Sequence, residues 1–143
     1  MIFILDCNVW LDWLLFNDNT ITKFKAGFEA GEFQFFGTEH MRSELLDVLN
    51  RQSIGRKFIA RSPFGSIEAM MAEYDRLVLV QPKPEIGPLP LPQCKDRDDQ
   101  MFVDLLVATK AVLISKDRHL LAMAPKLKKL FNVQVIHPNK FNF

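Results

Sequence analysis

Ile2-Phe3-Ile4-Leu5-Asp6 and Ala111-Val112-Leu113-Ile114-Ser115-Lys116-Asp117 are the two stretches that decide the fold. Each opens with an unbroken apolar run and ends in an aspartate, the pattern of a central parallel strand buried on both faces. Phe33–Phe36 reads as a second strand, residues 77–80 (Leu-Val-Leu-Val) as a third, buried one, and Val133–Ile136 as the last. Helical periods fill the gaps. Asn8 is a suitable N-cap for a helix over 9–16, and Thr20 for a second, with Ile21, Phe24 and Phe28 on one face and Gly31 as its stop. Thr38 opens a third helix with the stripe Met41, Leu45, Val48 and Leu49. Shorter helices are predicted over 53–61 and over 65–76, the latter with Ile67, Met70, Met71 and Tyr74 inward. Another spans 100–110, its apolar residues being Met101, Phe102, Leu105, Leu106 and Ala108, and two pieces follow at 118–124 and Pro125–Phe131.

Strands alternating with helices imply right-handed βαβ units with helices on both faces of the sheet. The expected architecture is a three-layer α/β/α sandwich around a central, mainly parallel five-stranded sheet. At 143 residues the chain fits one domain, 1–143, with no second core required. Residues 82–92 hold five prolines and cannot be helix or central strand. They read as a polyproline-like surface loop, either a connector or a lid or partner-binding segment.

Composition narrows the class. With 48% hydrophobic and 24% charged residues the chain has the make-up of a soluble globular protein. A net charge of +1 excludes a polybasic binder, so any nucleic-acid contact must come from a local patch. Cys7 and Cys94 are too few for a disulfide scaffold and read as buried free thiols in a reducing cytosol. The N-terminal Met-Ile-Phe-Ile-Leu-Asp lacks the basic start and cleavage site of a signal peptide. No apolar stretch approaches the roughly 18 residues of a membrane helix. A cytoplasmic location is expected.

In open parallel sheets ligands sit beyond the C-terminal strand ends. Asp6 follows the first strand directly, and Asp117 comes three residues after the apolar run of the fourth. Asp96, Asp98 and Asp99 precede the helix that feeds the fourth strand, and the N-terminus of such a helix lies at the same sheet edge. Each acid alone has an ordinary explanation, as a helix cap or a first loop residue. Together they bring like charges to one edge, which costs stability unless a cation sits among them. Oxygen donors without paired His or Cys suit Mg²⁺ or Mn²⁺ and not zinc.

These motifs resemble a known family. Asp6-Cys7-Asn8-Val9 is similar to the Asp-Thr-Asn-Val opening of PIN domains, and Arg42–Leu49 to the PIN helix whose acid is here Glu44. Asp96-Arg97-Asp98-Asp99-Gln100-Met101-Phe102 resembles the third acidic segment of a bacterial and archaeal subgroup described as toxins of toxin–antitoxin pairs, the VapC type. Leu113–Leu121 resembles the closing Leu-Val-Thr-x-Asp-x-x-Leu-Leu. The resemblance implies Asp6, Glu44, Asp99 and Asp117 as the catalytic and metal-binding acids, with Asp98 rivalling Asp99 for the third place. Asn8, Ser115 and Asp96 would be supporting groups, Asp96 as an outer or capping residue, and Asp104 a polar helix face. Cys7 departs from the family, standing where a hydroxyl residue is usual, which weakens a supporting hydrogen bond.

The implied reaction is hydrolysis of single-stranded RNA with one or two Mg²⁺ or Mn²⁺ ions, leaving 5′-phosphate and 3′-hydroxyl ends. Implied partners are a cognate antitoxin and a second copy of the chain, and none is a membrane. An acidic site repels RNA, so cations must hold the phosphates nearby. No acid lies between Asp47 and Glu68, where Arg51, Arg56, Lys57 and Arg61 all fall. This stretch, with Lys116 and Arg118 beside the cleft, is either an RNA track or a solvated helix face. Lys126, Lys128 and Lys129 read as a solvated terminal helix. Trp10 and Trp13 read as core before interface, and His40, His119 and His137 carry no assigned chemistry. Two other classes compete: a catalytically silent PIN-fold RNA-binding or scaffold module, and a receiver-like Mg²⁺-binding signalling domain. The receiver would need an aspartate closing the third strand, where Val80-Gln81-Pro82 stands.

Overall fold

The computed structural model describes residues 1–51, 55–85, 92–94 and 96–141. Five strands, β1 (Ile2–Leu5), β2 (Gln34–Gly37), β3 (Val78–Val80), β4 (Val112–Ile114) and β5 (Gln134–Ile136), form one sheet in the order β3-β2-β1-β4-β5. Every pairing is parallel. Beta-1 is central because nearly its whole length can be buried on both sides. Phe3 and Leu5 pack toward one layer and Ile4 toward the other, all at most 2% exposed. Full burial of each such side chain stabilises the fold by about 1.5–3 kcal/mol.

The first layer holds α1 (Cys7–Leu11), which continues as a π-helical turn over Asp12–Phe16, then α2 (Thr22–Glu29), α3 (Glu39–Asn50) and α5 (Ile67–Leu77). A short α4 (Gly55–Arg61) connects α3 to α5. The opposite layer holds α6 (Gln100–Thr109), α7 (Arg118–Ala122) and α8 (Ala124–Phe131). This is the expected α/β/α sandwich. Its first layer is aromatic: Phe3 meets Phe24, Phe33 and Phe141 edge-on, and Trp10 meets Trp13, Phe35 and Tyr74. Both tryptophans are buried, as the core reading requires. Alpha-2 approaches this cluster closely only because residue 27 is glycine. A Cβ there would stand 2.1 Å from the Phe33 ring.

Several local expectations are corrected. Asp6, not Asn8, caps the first helix, because β1 passes into α1 with a single residue between them; Asn8 lies inside the helix and is exposed. Asp18, not Thr20, caps the next segment, accepting from the Thr20 N–H, and a 3₁₀ turn (Asn19–Ile21) precedes α2. Beta-3 is an edge strand and only Val78 is buried; Leu79 and Val80 are half exposed. On α6 it is Val103 that is buried, while Ala108 faces solvent. Thr38 does cap α3 and Ser66 caps α5. Of the proline-rich stretch, 86–91 lie outside the described residues, as do 53 and 54 of the short helix predicted over 53–61. Among the described residues no helix is long and apolar enough to cross a membrane.

Candidate active site

The chain runs outward from β1 through β2 to β3, then returns to build β4 and β5 on the other side. The order therefore reverses between β1 and β4, and a crevice at such a switch point is where open α/β sheets bind ligands. Asp6 and Asp117 flank that point. The order also differs from the 2-1-3-4-5 arrangement of receiver-like domains, which removes that reading.

Asp6 is buried and held at both oxygens. Its Oδ1 accepts from the Cys7 N–H at 2.6 Å and its Oδ2 from the Ser115 hydroxyl at 2.7 Å. Ser115 is fully buried, and its Oγ also accepts from the Asp117 N–H at 3.0 Å. One hydroxyl thus aligns the ends of two strands. Asp117 caps α7, with Oδ1 accepting from the His119 and Leu120 N–H groups at 2.7 and 3.1 Å. Burial raises the Asp6 carboxyl above its ordinary range; the Ser115 and Cys7 hydrogen bonds oppose this, Asp117 adds to it and Lys116 offsets it.

Asp99 completes the convergence. It ends a 3₁₀ turn (Arg97–Asp99) and leads into α6 without spending its carboxylate on a cap. Its pKa is pushed up to about 7, first by burial and then by the charges of Asp6, Asp117, Asp96 and Asp98. Between the two rivals, Asp99 is partly buried and feels the charges of Asp6 and Asp117, while Asp98 is exposed. Asp96 is a capping group, accepting from the Asp98 N–H at 2.9 Å. Asp104 accepts from the Gln100 side chain.

Glu44, half-buried on α3, comes in from the other layer. With Asp6 it adds to the burial that pushes the Cys7 thiol up to about 12, and Arg51 acts in the opposite direction. The charges of Glu44 and Arg51 therefore both act on the residue that follows Asp6. Arg56, Lys57 and Arg61 are exposed on α4, and Arg118 is exposed at the start of α7. Lys116 is committed inward. Its Nζ stands 2.6 Å from Asp12 Oδ2, an oxygen that otherwise has no aligned hydrogen bond; at that separation the contact is an ion pair.

Asp12 belongs to this region although the sequence reading passed over it, and so does Cys94, which that reading took only as a buried thiol. Asp12 is 6% exposed in the π-helical turn, and its signal was a lone acid between Trp10 and Trp13. Cys94 feels Asp99, Asp104, Asp117 and Asp96, which together with burial push its thiol up to about 11. Both cysteines are free and half-buried, so neither is the fully enclosed thiol expected.

The donors suit a hard divalent cation in type and in surplus charge, since the acids raise one another's pKa. They are not drawn fully together. Among the described residues no group of three or more His, Cys, Asp or Glu side chains is close enough to hold a metal ion. No curated protein and no solved structure matches the chain. The PIN-domain family model matches residues 3–119, a span that starts in β1, ends in α7 and includes Asp6, Glu44, Asp99 and Asp117. The chain belongs to the PIN-domain family, a nuclease-type fold.

Proposed function

We propose that this chain is a metal-dependent endoribonuclease that hydrolyses single-stranded RNA, acting in the cytoplasm as the toxin of a toxin–antitoxin pair. One observation carries the reading: Asp6 and Asp117 are joined at the switch point through the Ser115 hydroxyl, and Asp99, raised to about 7 first by burial, also feels both of their charges. Asp6, Asp99 and Asp117 would hold Mg²⁺ or Mn²⁺, with Glu44 closing the site from α3. When bound, such an ion neutralises phosphate charge and makes a water acidic enough to attack. The protein's own groups divide the remaining work. Asp6 and Asp117 are fixed by backbone and hydroxyl donors and set the geometry. Asp99, raised to about 7 first by burial and then by its acidic neighbours, would ionise beside a bound cation and supply the third carboxylate. Arg51 and the cations of α4 would grip the phosphates that the acids repel.

A second reading, a silent PIN-fold RNA-binding module, is favoured by the absence of a closed metal cluster among the described residues. Labelled single-stranded RNA incubated with Mn²⁺ separates the two. Cutting that stops on chelation and falls at least about 100-fold in Asp6→Asn supports the enzyme. Equal cutting by both proteins, or none by either, removes it. The toxin role adds its own test: expression should arrest growth, and co-expression with the cognate antitoxin should relieve the arrest.

A further inference from the structure

Phe16 and Phe58 are 54% and 53% exposed, and among the described aromatic residues no others are exposed to this degree. They come from the π-helical turn and from α4, forty-two positions apart, yet their rings meet edge-on with centroids 6.2 Å apart. Each ring supports the other and leaves a face open to solvent. The same short helix carries the exposed cations Arg56, Lys57 and Arg61, of which Arg61 shares the Phe58 face, and among the described residues none of these, nor Arg51, forms an ion pair. By contrast Arg42 and Arg76 are tied to Asp75 and to Glu29 and Glu73. A groove of about 450 Å³ opens beside them, lined in part by Asn50, Arg51, Arg56 and Ile59.

We propose that Phe16 and Phe58 form a stacking platform for unpaired bases of single-stranded RNA, with Arg51, Arg56, Lys57 and Arg61 holding the backbone along the adjoining groove. This rests on the reading of the chain as a single-strand ribonuclease. Two properties coincide here and point to one occupant. Unpaired cations call for a polyanion, and open aromatic faces call for π surfaces, which a single strand offers and a duplex hides. A protein partner docking by apolar contact would be met by a broad exposed apolar face; the groove includes Leu49, Ile59 and Ile67, but the long exposed side chains sharing α4 with Phe58 are all cationic. The platform is also continuous with the acids. Phe16 ends the helical run that starts directly after Asp6, ten positions on and so roughly 15 Å along the axis at 1.5 Å per residue, and the Arg51 charge acts on Cys7, the neighbour of Asp6. A strand stacked on the platform can therefore lay a phosphodiester across the acids.

The test is fluorescence anisotropy with a short fluorescein-labelled oligouridylate in EDTA, so that affinity is read without cleavage. Phe58→Ala and Phe58→Leu are each expected to weaken binding roughly 5- to 150-fold, and Phe16→Ala to do the same. Phe58→Tyr, which keeps the ring, retains wild-type affinity. The leucine variant is the discriminating one, because it preserves apolar bulk and removes only the π face. Ultraviolet cross-linking of 5-bromouridine RNA to the wild-type protein gives a readout independent of any variant, and the adducts should map to Phe16 or Phe58. Wild-type affinity in Phe58→Leu, or adducts confined to other segments, overturns the platform. Should the wild type bind in this pattern yet cut nothing with Mn²⁺, the platform stands and the nuclease reading fails. If it cuts normally while Phe58→Leu binds normally, the nuclease reading stands and the platform fails.

Discussion

Replacing Asp99 with Asn should make the metal-free protein more stable at alkaline pH. Asp99 titrates at about 7 in the fold, against 3.8 for an unperturbed side chain. At about 1.4 kcal/mol per pH unit the whole displacement is worth about 4 kcal/mol. Asp99 is only partly buried, and solvent screening reduces that to roughly 1–2 kcal/mol. The sign follows from linkage. The fold binds the Asp99 proton more tightly than the unfolded chain does, so this group favours folding most below about pH 4. That contribution is lost as pH rises through the interval up to about 7, and the stability curve then levels. Asparagine has no such proton and removes the slope. In EDTA near pH 8 the variant should melt roughly 3–8 °C above the wild type, the difference shrinking toward about pH 4. Mn²⁺ should narrow or invert the order, because it stabilises the protein that binds it more tightly. Differential scanning fluorimetry across pH reads all of this. A variant no more stable than wild type in alkaline EDTA would show that burial and the neighbouring acids do not raise Asp99.

Ser115→Ala deletes the hydroxyl shared by Asp6 and the Asp117 N–H. It should cost roughly 1–3 kcal/mol in urea denaturation and slow cleavage about 10- to 100-fold; unchanged cleavage would deny Ser115 a positioning role. Lys116→Met leaves Asp12 buried without its cation. Because the lysine head is 38% exposed, the loss should be moderate, roughly 1–3 kcal/mol, and the Asp12→Asn/Lys116→Met pair should recover most of it. No recovery would mean that the pair does not interact. Gly27→Ala drives a Cβ into the Phe33 ring and should cost roughly 1–3 kcal/mol, partly restored by Phe33→Leu. Equal destabilisation with and without that second change would rule out the clash.

The layer order and the acidic edge were legible in the sequence because parallel central strands need no partner information: buried on both faces, they appear as unbroken apolar runs. The same property misled at residues 77–80. Leu-Val-Leu-Val reads like β1, but β3 is the last strand on its side, so Leu79 and Val80 have no neighbour to cover them. Edge position is a property of the assembled sheet. Capping failed for a related reason. Asn8 and Asp6 have similar intrinsic preferences, and the tight passage from β1 into α1 hands the cap to Asp6 and gives one carboxylate two duties. Asp12 lay hidden because its partner, Lys116, is 104 positions away. Phe16 and Phe58 were unremarked because phenylalanine in a helical run carries no sign of which face solvent will see. The choice between Asp98 and Asp99 needed a rotation about the 3₁₀ turn, and one residue of register there separates an exposed acid from one that feels Asp6 and Asp117.

The division of labour among the acids follows from where each is anchored. Asp6 and Asp117 sit at the ends of adjacent hydrogen-bonded strands and are joined through Ser115, so neither can shift without disturbing the β1–β4 pairing. Asp99 stands on a short 3₁₀ lead-in, with no cap bond to keep its carboxylate in place. A cation drawing the three together must therefore move mostly Asp99, and the charge crowding that adds to burial in raising its pKa is also what that cation would relieve. Ser115 and the α6 lead-in thus control different quantities. Damage to Ser115 loosens the fixed pair and should appear in stability and rate together. Restricting the lead-in should weaken metal affinity and leave the β1–β4 scaffold intact. A site built from two fixed acids and one adjustable one is compatible both with an open metal-free arrangement and with tight closure when charge arrives.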